Sequence, residues 1–145
     1  MTGTSESDAT LETAPLVGVV LVSHSAAVAE AVADLAVGLT GGGARVQVRP
    51  AGGAPDGGLG TSSDLIASAA RSVDRGAGVA VLADLGSAVL TVKALLSDEE
   101  LPDGSRLIDA PFLEGSVAAV VTASTGADLD AVAAAAAEAY TYRKT

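Results

Sequence analysis

The sequence predicts an α/β fold, an open and mostly parallel sheet with helices on both faces. Three observations lead there. Apolar runs at residues 16–22 (LVGVVLV) and 78–83 (GVAVLA) have no polar interior, as expected of strands covered on both sides. Each is followed, after a short turn, by a stretch whose apolar residues recur at helical spacing. The alternation of strand and helix then continues along the chain through short connections, which right-handed crossovers convert into a parallel sheet.

The elements follow in order. Residues 1–15 are polar, acidic and without period, and read as a disordered leader ending at Pro15, with a single domain over 16–145. After the first strand, residues 25–39 form a helix with Val28, Val32, Leu35 and Leu39 at helical spacing, stopped by glycines 41–43. Residues 44–49 alternate, with Val46 and Val48 on one face, as an edge strand does. A Gly-rich loop over 50–60 leads into a helix through Ile66, Ala69, Ala70 and Val73, for which Thr61, Ser62 and Ser63 are cap candidates. Beyond the strand at 78–83, Val89, Val92, Leu95 and Leu96 mark a helix ended by Asp98, Glu99, Glu100 and Pro102. A brief strand at 106–108 precedes a helix over 112–123, and Asp128 or Asp130 opens a final Ala-rich helix to about Tyr140.

Composition mainly excludes. A chain of 145 residues is one ordinary domain, long enough to hold a core without disulfides or metal. The absence of Cys removes disulfide scaffolds, thiolate metal sites and thiol catalysis, and leaves the cytoplasm as the expected compartment. A net charge of -10 opposes binding to nucleic acid or anionic lipid, since both require Lys and Arg to meet phosphates. The N-terminus lacks the cationic and apolar regions of a signal peptide, and no run has the length of a membrane helix. Aromatics are confined to Phe112, Tyr140 and Tyr142, so the core must be Val, Leu and Ala.

In doubly wound sheets ligands sit beyond the carboxyl ends of the strands. His24, the sole histidine, follows strand one; Asp84 follows strand three; the Gly-rich loop with Thr61 and Ser62 follows strand two. In a 2-1-3 strand order the three converge. A lone His on such a turn is either a solvated residue or an acid, base or nucleophile, and it excludes a multi-His metal site. Asp84 is either the cap of the next helix or the carboxylate that fixes the imidazole tautomer and presents its other nitrogen as a lone pair. Helix N-termini nearby would attract phosphate oxygens, so a neutral nucleophile beside an anion site fits phosphoryl transfer. Ser23, Ser25, Thr61, Ser62 and Ser87 are either phosphoryl ligands or caps.

Other chemistry fits less well. The Gly-rich loop has no Lys and is not a nucleotide-binding loop. A Ser-His-Asp hydrolase built on Ser23 or Ser87 lacks the G-x-S-x-G elbow. Gly115, beside Glu114, reads as a point of close helix packing.

The segments VLVSHS at 20–25, AGGAPDGGLGTS at 51–62, ADLGSA at 83–88 and DAPFLEG at 109–115 together resemble the DhaM family, the phosphoryl-donor subunits of bacterial dihydroxyacetone kinase, within the broader mannose-type EIIA domains. The resemblance spans about residues 17–139. It implies strand order 2-1-3-4 and a carrier in the phosphoenolpyruvate-dependent phosphotransferase system. His24 would accept phosphate from HPr and pass it to ADP held on the DhaL subunit, and the ATP formed would phosphorylate dihydroxyacetone on DhaK. Asp84 would orient His24, while Ser25, Thr61, Ser62, Gly86 and Ser87 surround the phosphoryl group. A homodimer is implied, and neither a metal nor a cofactor. Some family members carry HPr-like and enzyme-I-like domains after this one; with the sequence ending at Thr145, a separate HPr is expected. Alternative readings are a mannose-type EIIA domain serving a sugar permease, or a non-catalytic module that binds a phosphorylated metabolite.

Overall fold

The computed structural model describes residues 14–42 and 45–145. The expected acidic leader therefore lies, apart from Ala14 and Pro15, outside the described residues. The elements are β1 (Gly18–Ser23), α1 (Ala26–Gly38), β2 (Val48–Gly52), α2 (Ser63–Val73), β3 (Val79–Ala83), α3 (Gly86–Ser97), β4 (Ser105–Leu107), α4 (Phe112–Ser124) and α5 (Leu129–Glu138), with a 3-10 turn at Ala139–Thr141. The four strands form one sheet in the order β2-β1-β3-β4, every neighbouring pair parallel. This is the expected architecture. Among the described residues no helix is long and apolar enough to cross a membrane.

The sheet is covered on both faces because side chains along a strand alternate. Val19 and Leu21 of β1, with Ala80 and Leu82 of β3, face α1, α4 and α5 through Val32, Val120 and Val132. Val20 and Val22, with Val79 and Val81, face α2 and α3 through Ile66, Val73 and Val92. Every residue of β1 is buried, which accounts for its uninterrupted apolar run. The connection leaving β1 crosses one face to reach β2, and the connection leaving β3 crosses the other to reach β4. The crevice beyond the carboxyl ends of β1 and β3 is thus the switch point of the sheet.

Two details differ from the pattern read in the sequence. The first is α1: it turns Ala29, Val32, Ala33 and Ala36 to the sheet, while Val28, Leu35 and Leu39 stand exposed. Alanine on the inner face lets the helix axis approach the strands closely, and close packing outweighs the larger area that a leucine face would bury. The second is β2, which runs over Val48–Gly52 rather than 44–49 and so includes Pro50. The Gln47 carbonyl accepts from Val19 N–H at 2.9 Å and Gly53 N–H donates to the Ser23 carbonyl at 3.1 Å. Those two residues share a phase along the strand that Pro50 does not, so its missing N–H faces away from β1, as an edge strand permits. Gly115 fulfils its packing role: a Cβ there would lie 2.6 Å from the Ala110 Cβ and 3.5 Å from the Ala136 carbonyl oxygen.

Candidate functional site

The strand ends bring the expected residues together. β1 finishes at Ser23, and His24 forms the turn into α1, whose N-cap is Ser25; the Ser25 hydroxyl accepts from Val28 N–H at 3.2 Å. β3 finishes at Ala83, and Asp84 follows at once. The main chain from β2 is tied to the same place, since Gly60 N–H donates to the His24 carbonyl at 2.9 Å. Gly52 allows this convergence: a Cβ there would meet the Ser25 carbonyl at 2.5 Å and the Ala26 Cα at 2.8 Å.

His24 Nδ1 lies 2.9 Å from Asp84 Oδ1. With a carboxylate at Nδ1, the neutral ring carries its proton there and presents the Nε2 lone pair outward. Nε2 is hydrogen-bonded by the Ser87 hydroxyl. The imidazole keeps 23% of its side-chain surface exposed, enough for Nε2 to meet a partner while Nδ1 is held.

Asp84 does not cap α3; the N-cap is Leu85, and among the described residues no side chain caps that helix. Its carboxylate is instead the hub of the turn. Oδ1 accepts from His24 Nδ1–H and from Leu85 N–H at 2.7 Å. Oδ2 accepts from the Ser23 hydroxyl at 2.8 Å and from His24 N–H at 3.1 Å. Burial pushes the Asp84 carboxyl up, but the hydrogen bonds from the His24 ring, the Ser23 hydroxyl and the two amides outweigh it, leaving it below its ordinary value of 3.8. The group is a fixed anion at neutral pH.

The other expected residues divide. Ser87 and Gly86 open α3 directly opposite Nε2. Thr61 reaches the same helix, its Oγ1 lying 3.2 Å from Thr91 Oγ1, which itself donates to the Ser87 carbonyl at 3.0 Å. The Ser62 hydroxyl caps α2, accepting from Leu65 N–H at 3.2 Å. Sequence reasoning missed the work of Ser23, whose side chain faces Asp84 rather than solvent. The available signal was the apolar run of β1: extending the strand by one residue buries Ser23, and a buried hydroxyl requires a partner.

Comparison with known proteins bears on the same segments. The family model described as PTS system fructose IIA component, EIIA-man, matches residues 18–133. The PEP-dependent dihydroxyacetone kinase 2 phosphoryl donor subunit DhaM of Listeria innocua is 31% identical over 119 residues, covering 81% of this chain and 94% of that one. The DhaM phosphoryl donor subunit of Pantoea ananatis is 38% identical over 120 residues, and there the chain spans 25% of the relative's length. The solved structure of EF1359, a protein of unknown function, superposes with a TM-score of 0.72 at 28% identity, covering 85% of this chain and 94% of that one. With its matched strands, turns and helices lying on the sheet just described, the chain belongs to the EIIA-man family and is DhaM-like.

Proposed function

We propose that residues 16–145 act as a single phosphohistidine carrier domain: His24 takes phosphate from HPr and passes it to ADP on the DhaL subunit of a dihydroxyacetone kinase. The observation that carries this reading is the 2.9 Å contact from His24 Nδ1 to Asp84, which leaves Nε2, met by the Ser87 hydroxyl, as the nucleophile. In the first step the Nε2 lone pair forms a P–N bond and the bond from phosphorus to the donor breaks. In the second, a terminal oxygen of ADP forms a P–O bond and the P–N bond breaks, returning the electron pair to Nε2. The Nδ1 proton stays on the Asp84 side throughout, and the carboxylate stabilises the ring while it carries phosphorus. Ser87 and Gly86 at the start of α3, with Ser25, Thr61 and Ser62 on the neighbouring turns, surround the phosphoryl group.

The family membership supports the reading, and so does the surface. Leu59, next to the Gly60 amide that bonds the His24 carbonyl, and Leu85, whose own amide bonds Asp84, border the site and are 81% and 63% exposed. A rim of exposed leucines suits a protein donor and acceptor rather than a free metabolite. On this reading the domain works as a cytoplasmic homodimer, needs no cofactor of its own, and serves a system in which DhaK holds the dihydroxyacetone.

The test is onward transfer. With phosphoenolpyruvate, enzyme I, HPr and DhaL-bound ADP, the chain is expected to support ATP formation. Phosphorylation of the chain without transfer to ADP, but with transfer to a sugar permease domain, would assign it to the permease branch of the same chemistry.

A further inference from the structure

We infer that Ser23 is a positioning residue that sets which nitrogen of His24 is the nucleophile. Ser23 is a polar side chain in an otherwise apolar strand and is 1% exposed. Its hydroxyl donates to Asp84 Oδ2 at 2.8 Å and accepts from Ser25 N–H at 3.1 Å. Its carbonyl accepts from Gly53 N–H at 3.1 Å. One buried residue therefore joins β1 to the turn after β3, to the start of α1 and to the loop after β2.

The consequence lies in the carboxylate. Both oxygens of Asp84 are engaged, and among the described residues the Ser23 hydroxyl provides the only side-chain bond to Oδ2. Without it, Oδ2 keeps one main-chain N–H at 3.1 Å while Oδ1 keeps its bonds to Leu85 N–H and the ring, so the carboxylate loses one of its four donors and its alignment on the imidazole is loosened. Losing that alignment admits the tautomer with its proton on Nε2, whose lone pair then points at Asp84 instead of at the donor. Ser23 itself cannot face a phosphoryl group, because it is enclosed and its hydroxyl is already both donor and acceptor. It acts through Asp84, not on the reacting atoms.

The proposal rests on the reading of His24 as the phosphoryl acceptor for its kinetic consequence, but not for its tautomer. Because His24 is the only histidine, long-range 1H–15N spectra of the full chain contain one imidazole. The wild type is expected to show the Nδ1–H form. Ser23→Ala should keep the wild-type backbone spectrum, populate the Nε2–H form, and lower the rate of phosphoryl acceptance by about 10- to 100-fold, the scale of a misaligned reacting group. Ser23→Thr, which keeps the hydroxyl, should restore the Nδ1–H form and most of the rate. A wild-type tautomer in Ser23→Ala overturns the proposal, as does a rate loss in both variants with the ring unchanged. Should Ser23→Ala fail to fold, Ser23→Thr decides it, since a ring displaced from the Nδ1–H form despite the hydroxyl also overturns it. Failure of the wild type to take phosphate would refute the carrier reading while leaving the tautomer comparison to judge Ser23.

Discussion

His24→Ala is expected to reduce phosphoryl acceptance, and with it ATP formation through DhaL, by at least about 10⁴-fold, the loss seen when a covalent nucleophile is removed. No other imidazole exists in the chain. The hydroxyls of these turns do not replace it: Ser87, which bonds Nε2, loses the ring as its base, and the Ser25 hydroxyl caps α1. The fold should survive, because His24 belongs to neither of the two apolar clusters that hold the helices on the sheet. An unchanged circular dichroism spectrum alongside abolished transfer is the expected pairing, and transfer above one-hundredth of wild type in His24→Ala would rule out this nucleophile.

Asp84→Asn should be the next most severe change, lowering the rate of phosphoryl acceptance about 10²- to 10⁴-fold while preserving the shape of the turn. An amide offers one acceptor oxygen where the carboxylate meets four donors, and its NH₂ group is itself a donor. Placed beside Nδ1, that NH₂ stabilises the ring with the lone pair on Nδ1 and the proton on Nε2, the reverse of what attack requires. The substitution also carries a pH signature. The Asp84 carboxyl is lower in the folded chain than its ordinary value, so the folded state favours the ionised form. Its contribution to stability is full above the unfolded value and is lost as pH falls through the folded one. The stability gap between wild type and Asp84→Asn should therefore close as pH falls from about 5 through the folded value of the carboxyl. A gap that stays fully open at pH values well below the ordinary carboxylate range would contradict the hydrogen-bonded anion.

The pairing of His24 with Asp84 was legible because both interrupt simple patterns. Asp84 follows an apolar run at once and His24 follows one after a single serine, and a parallel sheet brings the ends of such runs together. What was less legible depends on three-dimensional packing. The register of β2 was misplaced by its own alternation at Val46 and Val48, since the hydrogen bonds from Gln47 and Gly53 to β1 decide where pairing begins and ends. The inner face of α1 was obscured by alanine: Leu35 and Leu39 have the spacing of a core face, yet Ala29 and Ala36 are the residues buried. Between an alanine face and a leucine face separated by about a quarter turn, periodicity does not choose, and the separation of helix and sheet does. Ser23 was hidden for a related reason: a serine at a strand end resembles a cap until the fold buries it against a carboxylate.

The most direct measurement is 31P- and 15N-resolved NMR of the labelled chain after incubation with phosphoenolpyruvate, enzyme I and HPr. The account predicts an acid-labile adduct of about 80 Da that brings roughly two negative charges, with phosphorus coupled to Nε2 of His24 and the Nδ1 proton retained. Phosphorus on Nδ1, phosphorus on a hydroxyl beside an unmodified ring, or an unmodified chain in the presence of phosphorylated HPr would contradict it.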